Sequence, residues 1–131
     1  MVNRKGRNNM KLFKRMILKR PAEKRLIYFY TIVSMDEQVW LLRDENGDLL
    51  TLEEEGDFEF SLPVWPRRSF AEMEAEVIGG KYEAFNIPLN EFMDDLLVEI
   101  EKDNGVAAIF PSEKGAILQT RDEIKEMLRN I

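Results

Sequence analysis

The chain of 131 residues has the length of one ordinary domain, and its hydrophobic content of 44% can supply a core. It has no cysteine and no histidine, which excludes disulfides, thiolate metal sites and any nucleophilic centre that relies on histidine. The net charge of −6 is uneven: residues 1–25 carry ten Lys/Arg and one acid, and residues 26–131 carry nine Lys/Arg and 24 acids. The composition therefore indicates a basic arm attached to an acidic body.

The arm, residues 1–20, has two parts. Residues 1–9 are basic without an apolar period, which predicts disorder. The run MKLFKRMILKR places Met10, Phe13 and Ile17 on one helical stripe between basic side chains. Such a helix suits an anionic membrane, a nucleic acid or an acidic protein surface, including this chain's own body in cis or in a dimer. Its candidate partner-binding residues are Lys11, Lys14, Arg15, Lys19 and Arg20.

The arm lacks the pattern of a targeting segment. Lys14 and Arg15 interrupt its apolar run, and no small-residue cleavage site follows, so we expect no export signal. The chain has no run of about 18 apolar residues, so we expect no membrane-spanning helix. Together with the missing cysteine, these features favour a cytoplasmic protein.

The body, residues 21–131, is expected to form a single domain. Apolar residues recur at helical spacing from Leu26 to Val33, after Pro21 interrupts the arm helix. Three strand candidates follow, QVWLLRD, LLTLE and FEFSLPV, which should form an antiparallel meander with a turn at Asn46-Gly47. Helices after Ser69, Asn90 and Thr120 then alternate with the short strands YEAFNIP, VAAIF and AILQT. This order predicts an α+β domain with an N-terminal helix, further strands in one mixed or antiparallel sheet, and a C-terminal helix.

The stretch EFSLPVWPRRS is the first candidate binding segment of the body. Its two prolines stiffen the exit from the third strand, and Trp65 between them either packs over the sheet or forms the floor of a ligand site. Arg67 and Arg68 follow directly and can bind a carboxylate or phosphate with a bidentate fork. Trp65, Arg67 and Arg68 are therefore candidate partner-binding residues.

The acidic residues do not predict a metal site. Asp44, Asn46 and Asp48 have the spacing of a calcium loop, but Leu49 stands where such a loop needs glycine. A charged hairpin turn is the better interpretation. The paired carboxylates elsewhere fall on predicted turns and outer helix faces, which is typical of solvated surface. We therefore expect no metal, no cofactor and no catalytic residue.

Several runs carry a resemblance to a known family. VWLLRDENGDLL, LPVWPRRSFAE, IPLNEFMDDLL and AAIFP, with the final capped helix, resemble uncharacterised bacterial proteins grouped as domain of unknown function 2750. The resemblance covers about residues 24–130, with LPVWP as its most specific part, and leaves the basic arm outside. A weaker likeness is to SseB-type domains. The resemblance implies no activity, cofactor or catalytic residue.

These observations favour a non-enzymatic protein-interaction or regulatory module. One specific form is an immunity-type protein whose acidic surface blocks a basic toxin, since complementary charge speeds encounter. One alternative is a small ligand-binding or hydrolase domain with a pocket near Trp65, lined also by Trp40 and Tyr82. Another is contact with a membrane surface or nucleic acid through residues 1–25. A homodimer formed by an exposed strand edge is a further possibility.

Overall fold

The computed structural model describes residues 12–131. The disorder predicted for residues 1–9, the start of the arm helix and the candidate Lys11 lie outside this range. Residues 12–18 are helical and are called α1. The other elements are α2 (Ala22–Asp36), β1 (Gln38–Arg43), β2 (Leu52–Glu53), β3 (Phe60–Val64), α3 (Arg68–Ile78), β4 (Glu83–Pro88), α4 (Leu89–Glu91, Phe92–Leu96 and Leu97–Lys102 in one run, π-helical in the middle), β5 (Gly105–Ser112), β6 (Gly115–Gln119) and α5 (Arg121–Arg129).

The elements confirm the α+β class but divide the strands between two sheets instead of one. β1 and β4 form a two-stranded antiparallel ribbon. The second sheet has the order β2-β3-β5-β6, in which β3 and β5 are parallel and the outer pairs antiparallel. The ribbon meets this sheet where Trp40 and Trp65 each donate a backbone N–H to the other's carbonyl at 2.9 Å. The two sheets therefore adjoin at the strand end that the LPVWP motif forms.

The predicted meander is shortened because its middle strand crosses from one sheet to the other. The backbone N–H of Leu50 donates to the carbonyl of Leu42 at 2.9 Å, whereas Leu52 and Glu53 already pair with β3. The Asn46-Gly47 turn itself is confirmed, since the Asp44 N–H donates to the Asp48 carbonyl. β1 instead pairs along its whole length with β4, the segment for which the sequence predicted a strand most weakly.

The core joins α2, α3 and α4 with residues of the ribbon and the larger sheet. The apolar stripe predicted for α2 is confirmed at Phe29, Tyr30 and Val33, which are almost fully buried. Leu26 is partly buried, and the neighbouring Arg25 is completely buried in its place. An arginine inside a core needs partners for its donors, and its contacts are described with the site below.

The helix ends follow the sequence at some positions and not at others. Thr120 and Glu123 form the predicted capping box of α5, and Gly79 ends α3 with a φ of 78°. Ser69 does not cap α3, because the helix already begins at Arg68, which places Ser69 inside its first turn. Within residues 12–131, no helix combines the length and apolarity needed to cross a bilayer.

Tyr30 should make the stability of the protein sensitive to alkaline pH. Its buried hydroxyl donates a hydrogen bond to Oε1 of Gln119. Burial, and secondly the charge of Glu123, raise the pKa of Tyr30 far above the usual value near 10. The unfolded chain therefore loses this proton first, and stability falls as pH rises above about 10.

A Tyr30→Phe variant removes both the hydrogen bond and the titrating group. At pH 7 we expect it to lower the free energy of unfolding by about 1–3 kcal/mol, since Gln119 is left without its donor. Denaturant unfolding from pH 7 to 11 should show that difference shrinking above about pH 10, where only the natural chain loses stability by ionisation of Tyr30. A constant difference across this range would contradict the prediction.

Candidate functional site

A groove with an apolar floor opens between the β1–β4 ribbon and helix α4. In an antiparallel pair, residues directly opposite share a face, so Leu41 and Phe85 point to the same side, together with Ile87 opposite Val39. Leu49 and Leu96 complete the floor, and the groove encloses about 370 Å³. Burying apolar side chains of an open groove under another apolar surface is energetically favourable, because it removes them from water.

The rim of this groove is acidic. Glu91, Asp95 and Glu99 stand at intervals of four along α4, are exposed, and border the groove on one side. Among the residues that line it, Leu41, Leu49, Phe85, Ile87, Leu96 and these three acids, none is basic. We call this surface the acid-rimmed groove. Its chemistry suits a segment that carries both apolar and basic side chains.

The rim is shaped by an irregular turn in α4. The backbone N–H of Leu97 donates to the carbonyl of Phe92, the spacing of a π-helix, over Phe92–Leu96. Arg121 of α5 supports this turn: its Nε donates to the Met93 carbonyl at 2.6 Å, and its Nη2 lies 3.3 Å from Oδ1 of Asp94. Asp95 and Leu96 of the groove both belong to the turn. The sequence carries no evident signal for it.

Helix α1 exposes the complementary chemistry on the same molecule. Leu12, Phe13 and Met16 lie on its outer side and are each more than half exposed. Ile17 is buried in the core, and the Ser112 hydroxyl donates to the Leu18 carbonyl at 3.1 Å, so the end of the helix is attached to the body. The structure therefore presents Lys14 and Arg15 beside an uncovered apolar surface.

The remaining arm candidates lie close to that attachment. Arg15 and Lys19 border a small cavity against Glu74 of α3 and Glu113 after β5. Burial, and secondly the charge of Glu113, raise the pKa of Glu74 above its ordinary value. Arg20 is exposed, and its backbone carbonyl accepts a hydrogen bond from Arg25. The described end of the arm thus lies beside α3 and the end of β5.

The structure places Trp65 in the core and not on a surface. Its exposed fraction is 0%, and its ring Nε1 has no hydrogen-bond partner among the described residues. The pocket that would combine Trp65 with Trp40 and Tyr82 is not formed, because the latter two border different grooves. The packing interpretation of the LPVWP segment therefore describes the structure, and Trp65 offers no floor to a ligand.

Arg67 and Arg68 are exposed next to the buried tryptophan. The guanidinium of Arg68 lies 5.1 Å from the ring centre of Trp40, a stacked cation–π geometry. Nε of Arg67 lies 3.7 Å from Oδ2 of Asp36, a long ion pair. Trp40 thus replaces Trp65 as the aromatic partner of Arg68, on the face of the ribbon opposite Leu41.

A larger groove of about 870 Å³ lies between α3 and β4, and its lining takes residues from both faces of the ribbon, among them Phe85 of the Leu41 face. Its lining carries charges of both signs: Arg43 pairs with Glu83 at 2.6 Å and stacks on Phe85 at 4.4 Å, and Arg68, Glu72 and Glu76 also line it. A site lined by two arginines and three glutamates, with one arginine already paired, has mixed charge and no clear preference for a charged ligand. The smaller acid-rimmed groove is therefore the more selective surface.

The helical pattern of the sequence did not predict that Arg25 is buried. Its Nε donates to the Phe110 carbonyl at 3.0 Å, and its two Nη atoms donate to the carbonyls of Arg20 and Gly115. Burial lowers the pKa of Arg25, partly offset by Glu23, but a guanidinium remains charged. Three carbonyls of separate segments converge on it, which indicates a structural clamp.

The carboxylate of Asp44 stabilises the hairpin turn. Oδ1 of Asp44 accepts the backbone N–H groups of Asn46 and Asp48 at 2.9 and 3.0 Å, which is the geometry of a turn-stabilising aspartate. In the part of the chain that the structure covers, no three acidic side chains are grouped closely enough to hold a metal ion.

Comparison with known proteins supports the resemblance seen in the sequence. A family model described as "Protein of unknown function (DUF2750)" matches residues 26–128, which is most of the chain and excludes the arm. No curated protein matches the chain. The match does not extend to SseB-type domains. The chain belongs to the DUF2750 family of proteins of unknown function.

Proposed function

We propose that this protein is an interaction module whose acid-rimmed groove binds a basic amphipathic helix. The observation that carries the proposal is the groove itself: an apolar floor that includes Phe85 and Ile87, lined by three carboxylates, while the neighbouring Arg43, which stacks on Phe85, has its charge paired with Glu83. Helix-in-groove recognition needs an apolar strip in the groove and matching side chains about one turn apart on the helix. The apolar floor and the acidic rim of this groove fit that mode.

The charge of the whole body strengthens the same preference. Residues 26–131 carry 24 acids and nine Lys/Arg, which sums to −15. A field of this sign raises the encounter rate with a basic partner and lowers it with nucleic acid. An immunity-type protein that neutralises a basic toxin is one specific form of this proposal, with the groove as the contact surface.

A synthetic helical peptide tests the groove without knowledge of the natural partner. The probe is a fluorescent peptide of leucine and lysine with the leucines on one face, titrated into the full chain at low salt. We expect saturable binding that weakens as salt rises, because charge contributes to it. The E91Q/D95N/E99Q variant should bind at least about tenfold more weakly, since three partly exposed charge contacts are lost.

A matched control separates the groove from general acidity. Glu53, Glu55 and Glu59 are equally exposed acids in the β2 region, and the E53Q/E55Q/E59Q variant has the same net charge as the rim variant. It should bind the peptide almost as tightly as the natural chain. Equal weakening in both variants, or unchanged binding in the rim variant, would show that the groove is not the binding site.

A further inference from the structure

We infer that the basic helix that fills the acid-rimmed groove is α1 of a second copy of this chain. This inference rests on the proposed function and names its partner. The exposed side of α1 carries Leu12, Phe13 and Met16, and its polar sides carry Lys14 and Arg15. The chain thus contains both the acidic apolar groove and a basic apolar helix that complements it.

The geometry of the fold prevents α1 from occupying the groove of its own chain. Ile17 is buried in the core, and α1 lies beside Glu74 and Val77 at the end of α3. α3 contacts the ribbon from the face of Trp40, whereas the groove opens on the opposite face, that of Leu41. The only α1 available to a groove, while Ile17 keeps its place, is therefore one from another copy.

Reciprocal binding of α1 in the partner's groove gives a closed dimer. Each copy offers one arm and one groove, so two copies related by a two-fold axis satisfy both contacts at once, without generating a filament. The arm continues from α1 into residues 1–11, which add Arg4, Lys5, Arg7 and Lys11 and no acid. The sequence before α1 therefore has the same sign of charge as α1.

Sedimentation velocity of the full chain, from about 1 to 100 µM, tests this arrangement. We expect a monomer–dimer equilibrium that shifts to monomer in high salt. The F13E/M16E variant and the E91Q/D95N/E99Q variant should each shift the dimer dissociation constant upward by at least about tenfold. Met35 of α2 is 70% exposed, and the M35E variant is the matched control that should dimerise normally.

Because the chain has no natural cysteine, introduced single cysteines allow a second test, disulfide cross-linking between copies, which does not measure affinity. Full chains carrying Met16→Cys and Ile87→Cys are mixed and mildly oxidised. A disulfide-linked heterodimer should form in high yield, and replacement of the first variant by Met35→Cys should abolish it. Absence of the first product, or equal yields of both, would overturn the arm exchange.

The outcomes separate the two proposals. A natural chain that stays monomeric to 100 µM, while its groove still binds the leucine–lysine peptide, refutes arm exchange and leaves the groove intact. A monomer that binds no peptide refutes both. A monomer that sediments with anionic vesicles, and loses this through F13E/M16E, assigns α1 to a membrane surface and also refutes arm exchange.

Discussion

A Trp65→Ala variant is expected to unfold with a free energy about 3–5 kcal/mol lower than that of the natural chain. The ring is 0% exposed and lies where the ribbon meets the larger sheet, held by the paired backbone bonds with Trp40. Removal of the ring leaves a large cavity that rigid strands on both sides cannot fill. Urea unfolding followed by far-ultraviolet circular dichroism measures the loss.

A Trp65→Phe variant provides the matched comparison. Phenylalanine keeps much of the buried apolar volume and removes a buried Nε1 that has no partner in the described part of the chain. We therefore expect a loss of only about 1 kcal/mol, at the lower end for large-to-small changes in a core. Near-natural stability of Trp65→Ala, together with lost peptide binding, would contradict the core role and favour a ligand-contacting one.

An Arg25→Ala variant should be the second most damaging change, with a loss of about 2–4 kcal/mol. The guanidinium donates to carbonyls of three separate segments, and one of them, Phe110, has a φ of 48°, which is strained for a bulky residue. The pairing of β5 with β6 shifts its register just beyond Ile109. Without Arg25, the Phe110 carbonyl is left buried without its donor.

The neighbouring Lys24 is the control for helix propensity and charge. It is exposed on the same turn of α2, and Lys24→Ala should change stability by less than about 0.5 kcal/mol. Amide exchange should show that Arg25→Ala loosens β5 and β6 before the ribbon, because the clamp joins the arm to those strands. A loss spread evenly over both sheets, or no loss at all, would contradict the clamp.

The sequence was sufficient for the parts of the fold that depend on local patterns. The α2 stripe, the turn at Asn46-Gly47 and the Thr120 capping box are each encoded within a few residues, and all three are confirmed. The division into two sheets was not predictable in this way. It depends on which distant strand pairs with β1, and periodicity within a segment carries no information about that partner.

For the candidate site too, local features were predictable from the sequence and long-range contacts were not. The basic arm and the acidic body are visible in composition, since charge needs no tertiary structure to be counted. The groove joins residues of β1, β4 and α4 that lie up to 58 positions apart, from Leu41 to Glu99, and only folding brings them together. The burial of Arg25 was not predictable for a related reason. An arginine in a helix is expected at the surface unless its hydrogen-bond partners are known, and the carbonyls of Phe110 and Gly115 are distant in the sequence.

The most direct measurement of the groove as a binding surface is amide chemical-shift mapping on the full chain, with isotope labelling and the unlabelled leucine–lysine peptide. We predict that the largest shifts fall on the groove, at Leu49, Phe85, Ile87 and Leu96, and that they diminish together in the E91Q/D95N/E99Q variant. Largest shifts in the acidic segment around Glu53–Glu59, or uniform small shifts over the whole acidic surface, would contradict a specific groove.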